Sequence, residues 1–568
     1  MELMKEEVKQ FFVLVRHFTI RFLNNDILKF EDQRHERVIT LMVVLVIAGG
    51  FISHQLLFPY LIYRLSGAAV TAIWIKKAVF LTIIMAITGC FTALNWQNIF
   101  PDSKDYTNLL VLPVKRRNLF LAKFSSLLVI VGLISFAFNV LSVFVFTFYL
   151  SEHIHVNIFY FAFTHVFITF LANLFVFMAV ACLQGIFSLL FKNKWFQRIS
   201  NALQVIFLFG FISLLFYLPR ISEYLPVAKE NTSSFIYFFP PLWFTGLYEK
   251  MTGSSDMVFT THVYIIALAL ILSTGLYLLG FPITFKRFFN ACTTGEKGEH
   301  PGKLQYTVKR WFNSIFLRHP TQRGIFYFML HTLKRSRFHR LHLVMYMSLP
   351  TAYILVHVVY HYSGKGGAYF QTPNMFLVGI SLITYFFLAF GLRMIIRHPI
   401  NLEANWLFQL TETEEKKHYI RGMKKALYFF GGVPGFVLLF IFYFYCWGYP
   451  LAVYHSLYSL GIFLLFVEVI FHRYKKIPFA GTHDPGKPNI KLYWPLYAAG
   501  FLEGFVTFSI LGLTLMREPR YYILFFAAVL GLKMLLVFRR YEKYKDEEFR
   551  FIYEEEPEEV MMTLNLRT

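Results

Sequence analysis

The 568-residue chain is 57% hydrophobic and only 15% charged, a balance that excludes a soluble enzyme of this length and places the polypeptide in a bilayer. Its net charge of +22 would suit a nucleic-acid partner, but the basic residues are interrupted by apolar spans, and 46 of the 55 Lys and Arg fall in segments that alternate crossings put on one side. That lopsidedness reports topology: no nucleic-acid partner is expected, and the positive-inside rule makes the chain a multi-pass cell-membrane protein with both termini cytoplasmic.

In chain order, residues 1–37 space Val8, Phe11, Phe12, Leu14, Val15, Phe18 and Phe22 among Lys5, Lys9, Arg16 and Arg21, the pattern of a helix with one greasy side lying along a membrane surface. Val13 and Ile20 fall off that side, and the start of the chain lacks the pattern of a cleavable signal. Apolar stretches of the roughly 20 residues that cross a hydrocarbon core follow near 38–58, 78–97, 123–149, 160–190, 202–219 and 262–285. Between the second and third lies Asn95–Lys123, a polar handle in which Leu109, Leu110, Leu112 and Val114 adjoin Lys115, Arg116 and Arg117, so that one face docks on protein while the basic end stays in water. An outer segment, 220–258, mixes aromatics with a Pro pair and is expected at the interface or dipping into the outer leaflet.

A polar, Gly-rich stretch, Gly295–Lys303, marks a boundary inside the cytoplasmic linker 286–340, whose later part reads as a second amphipathic surface helix. Six more spans follow near 341–362, 374–396, 426–448, 451–472, 495–515 and 520–538, with a second polar segment at 403–425. The expected fold is therefore all-α and polytopic: about 12 transmembrane helices in two parallel six-helix halves, 1–285 and 341–538, each preceded by an amphipathic interfacial helix, and a cytoplasmic tail at 539–568. Ala93-Leu94-Asn95-Trp96 and Ala404-Asn405-Trp406 introduce the two polar segments alike.

Catalytic patterns are lacking. Without a phosphate-binding loop the chain is not itself an ATPase, and there is no H-E-x-x-H motif. His153 with His155, and His357 with His361, have ligand-like spacing, but histidines are common at membrane interfaces and no metal site is assigned. Cys90, Cys182, Cys292 and Cys446 show no C-x-x-C spacing, so neither a zinc site nor a disulfide framework is indicated. Glu503 lies inside the eleventh span, where a carboxylate is costly unless it meets water or a partner. It marks either a polar pathway or a buried hydrogen bond. Asn139, Asn173 and Gln184 read first as helix-to-helix hydrogen bonds, with a substrate pathway as the alternative. Glu468 is expected to reach His472 and Arg473.

On these residues the first half resembles the membrane subunits of type-2 ABC exporters. Asp105-Tyr106 through Leu112-Pro113-Val114 into Ala122-Lys123 is similar to that family's coupling segment, Pro240-Pro241-Leu242-Trp243-Phe244 to its outer segment, and the N-terminal amphipathic helix to its connecting helix. The resemblance implies an ATP-driven permease with coupling segments at 98–118 and 403–425, fused from two subunits that usually dimerise, with homodimerisation of the whole chain left open. It implies separate cytoplasmic ATPase subunits that carry ATP and Mg, no cofactor on this chain, and surrounding lipid. Contacts to the ATPase would fall on Asp105, Tyr106, Leu109, Leu112, Pro113, Lys115, Arg116, Arg117, Trp406, Glu412, Glu415 and Arg421; the substrate pathway would include Glu503, Asn139 and Asn173. Rival readings are a major-facilitator secondary transporter and a membrane-embedded transferase acting on lipid-linked substrates. The loop after span two has no glycine between Gln97 and Lys123, unlike the Gly-rich turn of the first rival, and the carboxylate or histidine cluster expected of the second is not evident.

Overall fold

The computed structural model describes residues 2–23, 34–65, 73–96, 99, 116–150, 156–190, 193–231, 233–292, 312–314, 316–365, 368–398, 405–410, 412, 416–471, 477–480, 494–545 and 551. Among these residues every regular element is a helix, as a bilayer demands of single segments whose backbone amides must be satisfied internally. Among the described residues, eleven helices are long and apolar enough to cross a membrane. They carry strongly exposed rings such as Phe148, Phe159, Tyr264 and Tyr445 on their outer faces, surface that suits lipid tails and not water. The chain is a multi-pass helical membrane protein. The span expected at 495–515 coincides with a helix, Trp494–Arg517, that is not among the eleven.

The chain divides into two compact units, Met1–Lys297 and Gly298–Thr568. The first contains α1 (Glu2–Leu23), α2 (Arg34–Leu65), α3 (Ile73–Leu94), α4 (Arg116–Leu150), α5 (Ile158–Leu190), α6 (Asn193–Glu230), α7 (Ser234–Phe238), α8 (Pro240–Met251) and α9 (Met257–Cys292). Helices α3 and α5 form its centre: α3 packs on α5, α6 and α8, and α5 on α4 and α9. A core of Phe80, Leu81, Ile84, Ile134, Phe138, Phe146, Phe161 and Phe177 fills the space between them. The fifth expected span, 202–219, continues as helix to Glu230 through Pro219 and Pro226. The outer segment becomes α8, which starts on a Pro pair where missing amide donors cost nothing. Its Leu242, Phe244, Thr245 and Tyr248 are buried, and it packs on α3, α5 and α9.

Helix α1 packs on α4 through Phe11, Leu14, Val15 and Phe18 against Leu119 and Ala122. The greasy side is thus narrower than the sequence implied: Val8 and Phe12 are exposed along with Val13 and Ile20. The covered residues recur at one-turn spacing, and the others fall outside the strip that α4 can reach.

The second unit contains α10 (Pro320–Arg335), α11 (Arg337–Lys365), α12 (Ala368–Gln371), α13 (Met375–Ile396), α14 (Asn405–Leu410), α15 (Lys416–Leu427), α16 (Val433–Trp447), α17 (Tyr449–Ile470), α18 (Trp494–Arg517) and α19 (Tyr521–Lys545). Helices α13 and α17 are central: α13 packs on α11, α17 and α18, and α17 on α16 and α19. The expected surface helix is α10, and its apolar face (Ile325, Phe326, Met329, Leu333) is covered by α15. Between α15 and α16 a π-helical turn, Tyr428–Gly432, interrupts the rod. Pro434, two residues after it, cannot donate to the carbonyl of Phe430, so the backbone widens there. Gly448, at φ 78, turns the chain from α16 into α17.

Candidate functional site

The coupling segments come first. In the first, Asp105, Tyr106, Leu109, Leu112, Pro113 and Lys115 lie outside the described residues, and Arg116 and Arg117 begin α4. Its entrance is described. Trp96 is 1% exposed; its indole donates to Ser200 Oγ at 2.7 Å, and its carbonyl accepts from Gln184 Nε2 at 3.0 Å. Gln204 Nε2 donates to the carbonyl of Ala93 at 2.7 Å, so α5 and α6 together clamp the end of α3.

The second segment is seen more fully. Asn405 is buried and donates to the carbonyl of Ala480 at 2.8 Å, and Phe408 packs edge-on against Phe328 of α10. With its inner side held this way, α14 turns Trp406 (63% exposed), Leu407 and Leu410 (77% exposed) outward. Sequence similarity at Asn95-Trp96 and Asn405-Trp406 therefore splits: both Asn are buried, whereas one Trp is a clamp and the other an exposed ring. Glu412 pairs with Lys416, Arg421 is exposed on α15, and Glu415 lies outside the described residues.

Helix α15 is tied down from behind. Lys424 Nζ meets Glu468 Oε2 at 2.5 Å, and Tyr428 donates to Glu468 Oε1 at 3.1 Å. Glu468 is 1% exposed, and Lys424 is buried with it. The expected partners His472 and Arg473 lie outside the described residues.

A second candidate region is a polar seam buried in the first unit. Asn139 Oδ1 accepts from Thr169 Oγ1 at 2.9 Å, and its amide donates to the Ser135 carbonyl at 2.7 Å. Asn173 Oδ1 accepts from Thr88 Oγ1 at 2.9 Å. Farther along, His165 bonds Ser142 Oγ at 3.0 Å through Nε2 and Tyr248 Oη at 2.9 Å through Nδ1. Lys77 Nζ lies 4.4 Å from the Tyr248 ring centroid and forms an ion pair with Glu249 at 2.8 Å. Most of these buried donors and acceptors satisfy one another, but Asn173 Nδ2 and the nearby Thr164 Oγ1 have no hydrogen-bond partner. The seam joins α3, α4, α5 and α8.

Asn139 and Asn173 belong to this seam; Glu503 does not, being exposed on α18 in the second unit. Lys77, Ser142, His165, Tyr248 and Glu249 went unnoticed in the sequence. The available signals were a lone histidine inside an apolar span and a lysine at the start of one, neither of which names its partner. His357 bonds the Tyr353 carbonyl at 3.0 Å and His361 stacks on Tyr369 at 4.0 Å. Among the described residues no group of three or more His, Cys, Asp or Glu could hold a metal ion.

No protein-family model, curated protein or solved structure matches the chain.

Proposed function

We propose that the chain is the permease of an ATP-binding-cassette exporter of the type-2 kind, moving a substrate across the cytoplasmic membrane on ATP hydrolysed by separate subunits. The observation that carries this reading is α14: a short helix held from behind through Asn405 and Phe408 with Trp406, Leu407 and Leu410 facing outward. Exposed aromatic and aliphatic side chains on a fixed support are what a protein partner buries, and a Trp at such a place is the residue type that most often anchors it. Motion imposed on α14 would pass through α15, pinned by Lys424–Glu468, to the π-helical turn before α16. Such turns mark functional bends in membrane helices.

In this reading the two units are parallel repeats of six spans each, twelve in all, with the termini and both coupling segments in the cytoplasm. ATP and Mg belong to the partner. Asn139 and Asn173 line the substrate route where the seam hydrates during transport, and the Lys77–Glu249 pair closes its far end.

The deciding experiment is purification from the native membrane, which should bring down an ATPase subunit carrying a phosphate-binding loop. Trp406→Ala with Leu410→Ala should weaken that association about tenfold or more while leaving the fold intact, and Arg421→Glu should weaken it less. Transport driven by a proton gradient alone would overturn the proposal. That outcome would favour a secondary transporter, a reading for which the buried Lys77 and His165 supply ionisable groups.

A further inference from the structure

We propose that the cavity between α10 and α15 is a binding site for a phosphate group. It is an open cleft of about 510 Å³ lined by Arg318, His319, Gln322, His418 and Lys425. None of these residues is acidic. Arg318 and His319 lead into the N-terminus of α10, Gln322 lies in its first turn, and His418 and Lys425 come from α15. Arg421 and Arg318 are both close enough to Lys425 to act on its charge.

The hydrogen bonds already present orient the donors. Lys425 Nζ donates to the Phe316 carbonyl at 2.5 Å and to Gln322 Oε1 at 2.8 Å. An ammonium has three N–H groups, so one remains for a ligand. With its oxygen accepting from Lys425, Gln322 turns its Nε2 toward His418 Nδ1 at 2.8 Å. That nitrogen then accepts, and the ring proton of His418 sits on Nε2. His319 stacks face to face on His418 with centroids 3.6 Å apart and rings 8° from parallel.

Two fixed cations, a third beside them and the positive end of a 16-residue helix converge on one cavity. Among the described residues, the carboxylates of adjoining elements are engaged elsewhere, Glu412 on Lys416 and Glu468 on Lys424 and Tyr428. The geometry therefore calls for an anion with more than one charge and several acceptor oxygens. A carboxylate supplies one charge; a phosphate monoester supplies up to two and three acceptor oxygens. The inference does not rest on the exporter reading, since the lining residues named all lie in one unit whatever drives transport.

The ligand is either a phospholipid headgroup or a soluble phosphate, and two arms tell them apart. In the first, the full chain in phosphatidylcholine nanodiscs is titrated calorimetrically with inorganic phosphate. In the second, nanodiscs doped with phosphatidic acid are examined by native mass spectrometry for retained lipid. Binding is expected in one arm or both, with Lys425→Gln and Arg318→Gln each weakening it about tenfold and Lys334→Gln, exposed on α10 and not among the lining residues, leaving it unchanged. Lys425 also ties α15 to Phe316, so if Lys425→Gln fails to fold the exposed Arg318 carries the test. Absence of binding in both arms, or binding that Arg318→Gln does not weaken, overturns the proposal.

Discussion

Among the described residues, each unit has a lysine–carboxylate pair with a buried lysine, Lys77–Glu249 and Lys424–Glu468, and the two pairs fasten different things. In the first, Lys77 of α3 holds Glu249 of α8, so the pair secures the outer segment to the bundle. In the second, Lys424 of α15 holds Glu468 of α17 and secures the helix that follows the exposed α14. Their surroundings differ as well. Glu249 keeps 17% of its side chain exposed and Lys77 rests on the Tyr248 ring, whereas Glu468 is 1% exposed and takes a second bond from Tyr428. The same chemistry thus makes a partly wet latch in one unit and a dry one in the other.

Removing one partner should separate them. Lys424→Met strands a carboxylate with almost no access to water, and breaking a buried pair in this way costs about 3–5 kcal/mol. Lys77→Met leaves Glu249 able to reach solvent and should cost about 2 kcal/mol. Thermal melting in detergent micelles reads both, and Lys424→Met with Glu468→Leu should recover most of the loss. Equal melting shifts for the two single variants would break the distinction.

Packing offers a comparison in which the units should agree. In α3, a Cβ on Gly89 would lie 2.5 Å from the Phe211 ring of α6; in α13, a Cβ on Gly379 would lie 2.5 Å from the Phe505 ring of α18. Both glycines admit an aromatic ring at the contact between a central helix and a later one. Gly89→Ala and Gly379→Ala should each cost about 1–3 kcal/mol by overpacking, and by similar amounts if the halves descend from one repeat. Gly210→Ala, facing open space, should instead stabilise α6 by roughly 0.5–1 kcal/mol. A large difference between the first two would weaken the repeat reading.

These parallels were only partly legible in the sequence. Apolar runs of span length are read directly because a bilayer leaves the backbone few options, and the positions of the long helices followed from them. The α1 stripe was readable as a period but not in width, since α4 decides which of Phe11, Phe12 and Leu14 is covered. Asn139 and Asn173 were identifiable as polar residues in spans, while their partners Thr169 and Thr88 lie on other helices and carry no local signal. Lys77 and Glu249 are separated by 172 residues and lie in segments each ordinary on its own. Glu503 shows the converse: its place within a helix was clear, but the face of α18 that carries it depended on packing.

Acidification should distinguish the units by window. In the second unit, His398 follows α13, and burial pulls its imidazole down to about 4, with His342, His339 and Arg397 adding repulsion. Its folded value lies below the unfolded value of about 6.5, so the unfolded chain binds the proton more readily and stability falls as pH drops from 6.5 toward 4. The loss should be roughly 1–2 kcal/mol once solvent screening is allowed for, and His398→Gln should remove it. In the first unit, the hydrogen bond from Lys229 holds the Asp256 carboxyl below its ordinary value, against a desolvation cost and with help from the Val258 amide and the charges of Lys229 and Lys250. That contribution is present above about pH 3.9 and disappears only as pH falls through the lower folded value. The pair is 2.5 Å long but partly exposed, so Asp256→Asn should cost only about 0.5 kcal/mol at neutral pH. Hydrogen exchange resolved by segment should therefore show residues around His398 loosening first and those around Asp256 later; simultaneous loosening would mean that neither group controls its own unit.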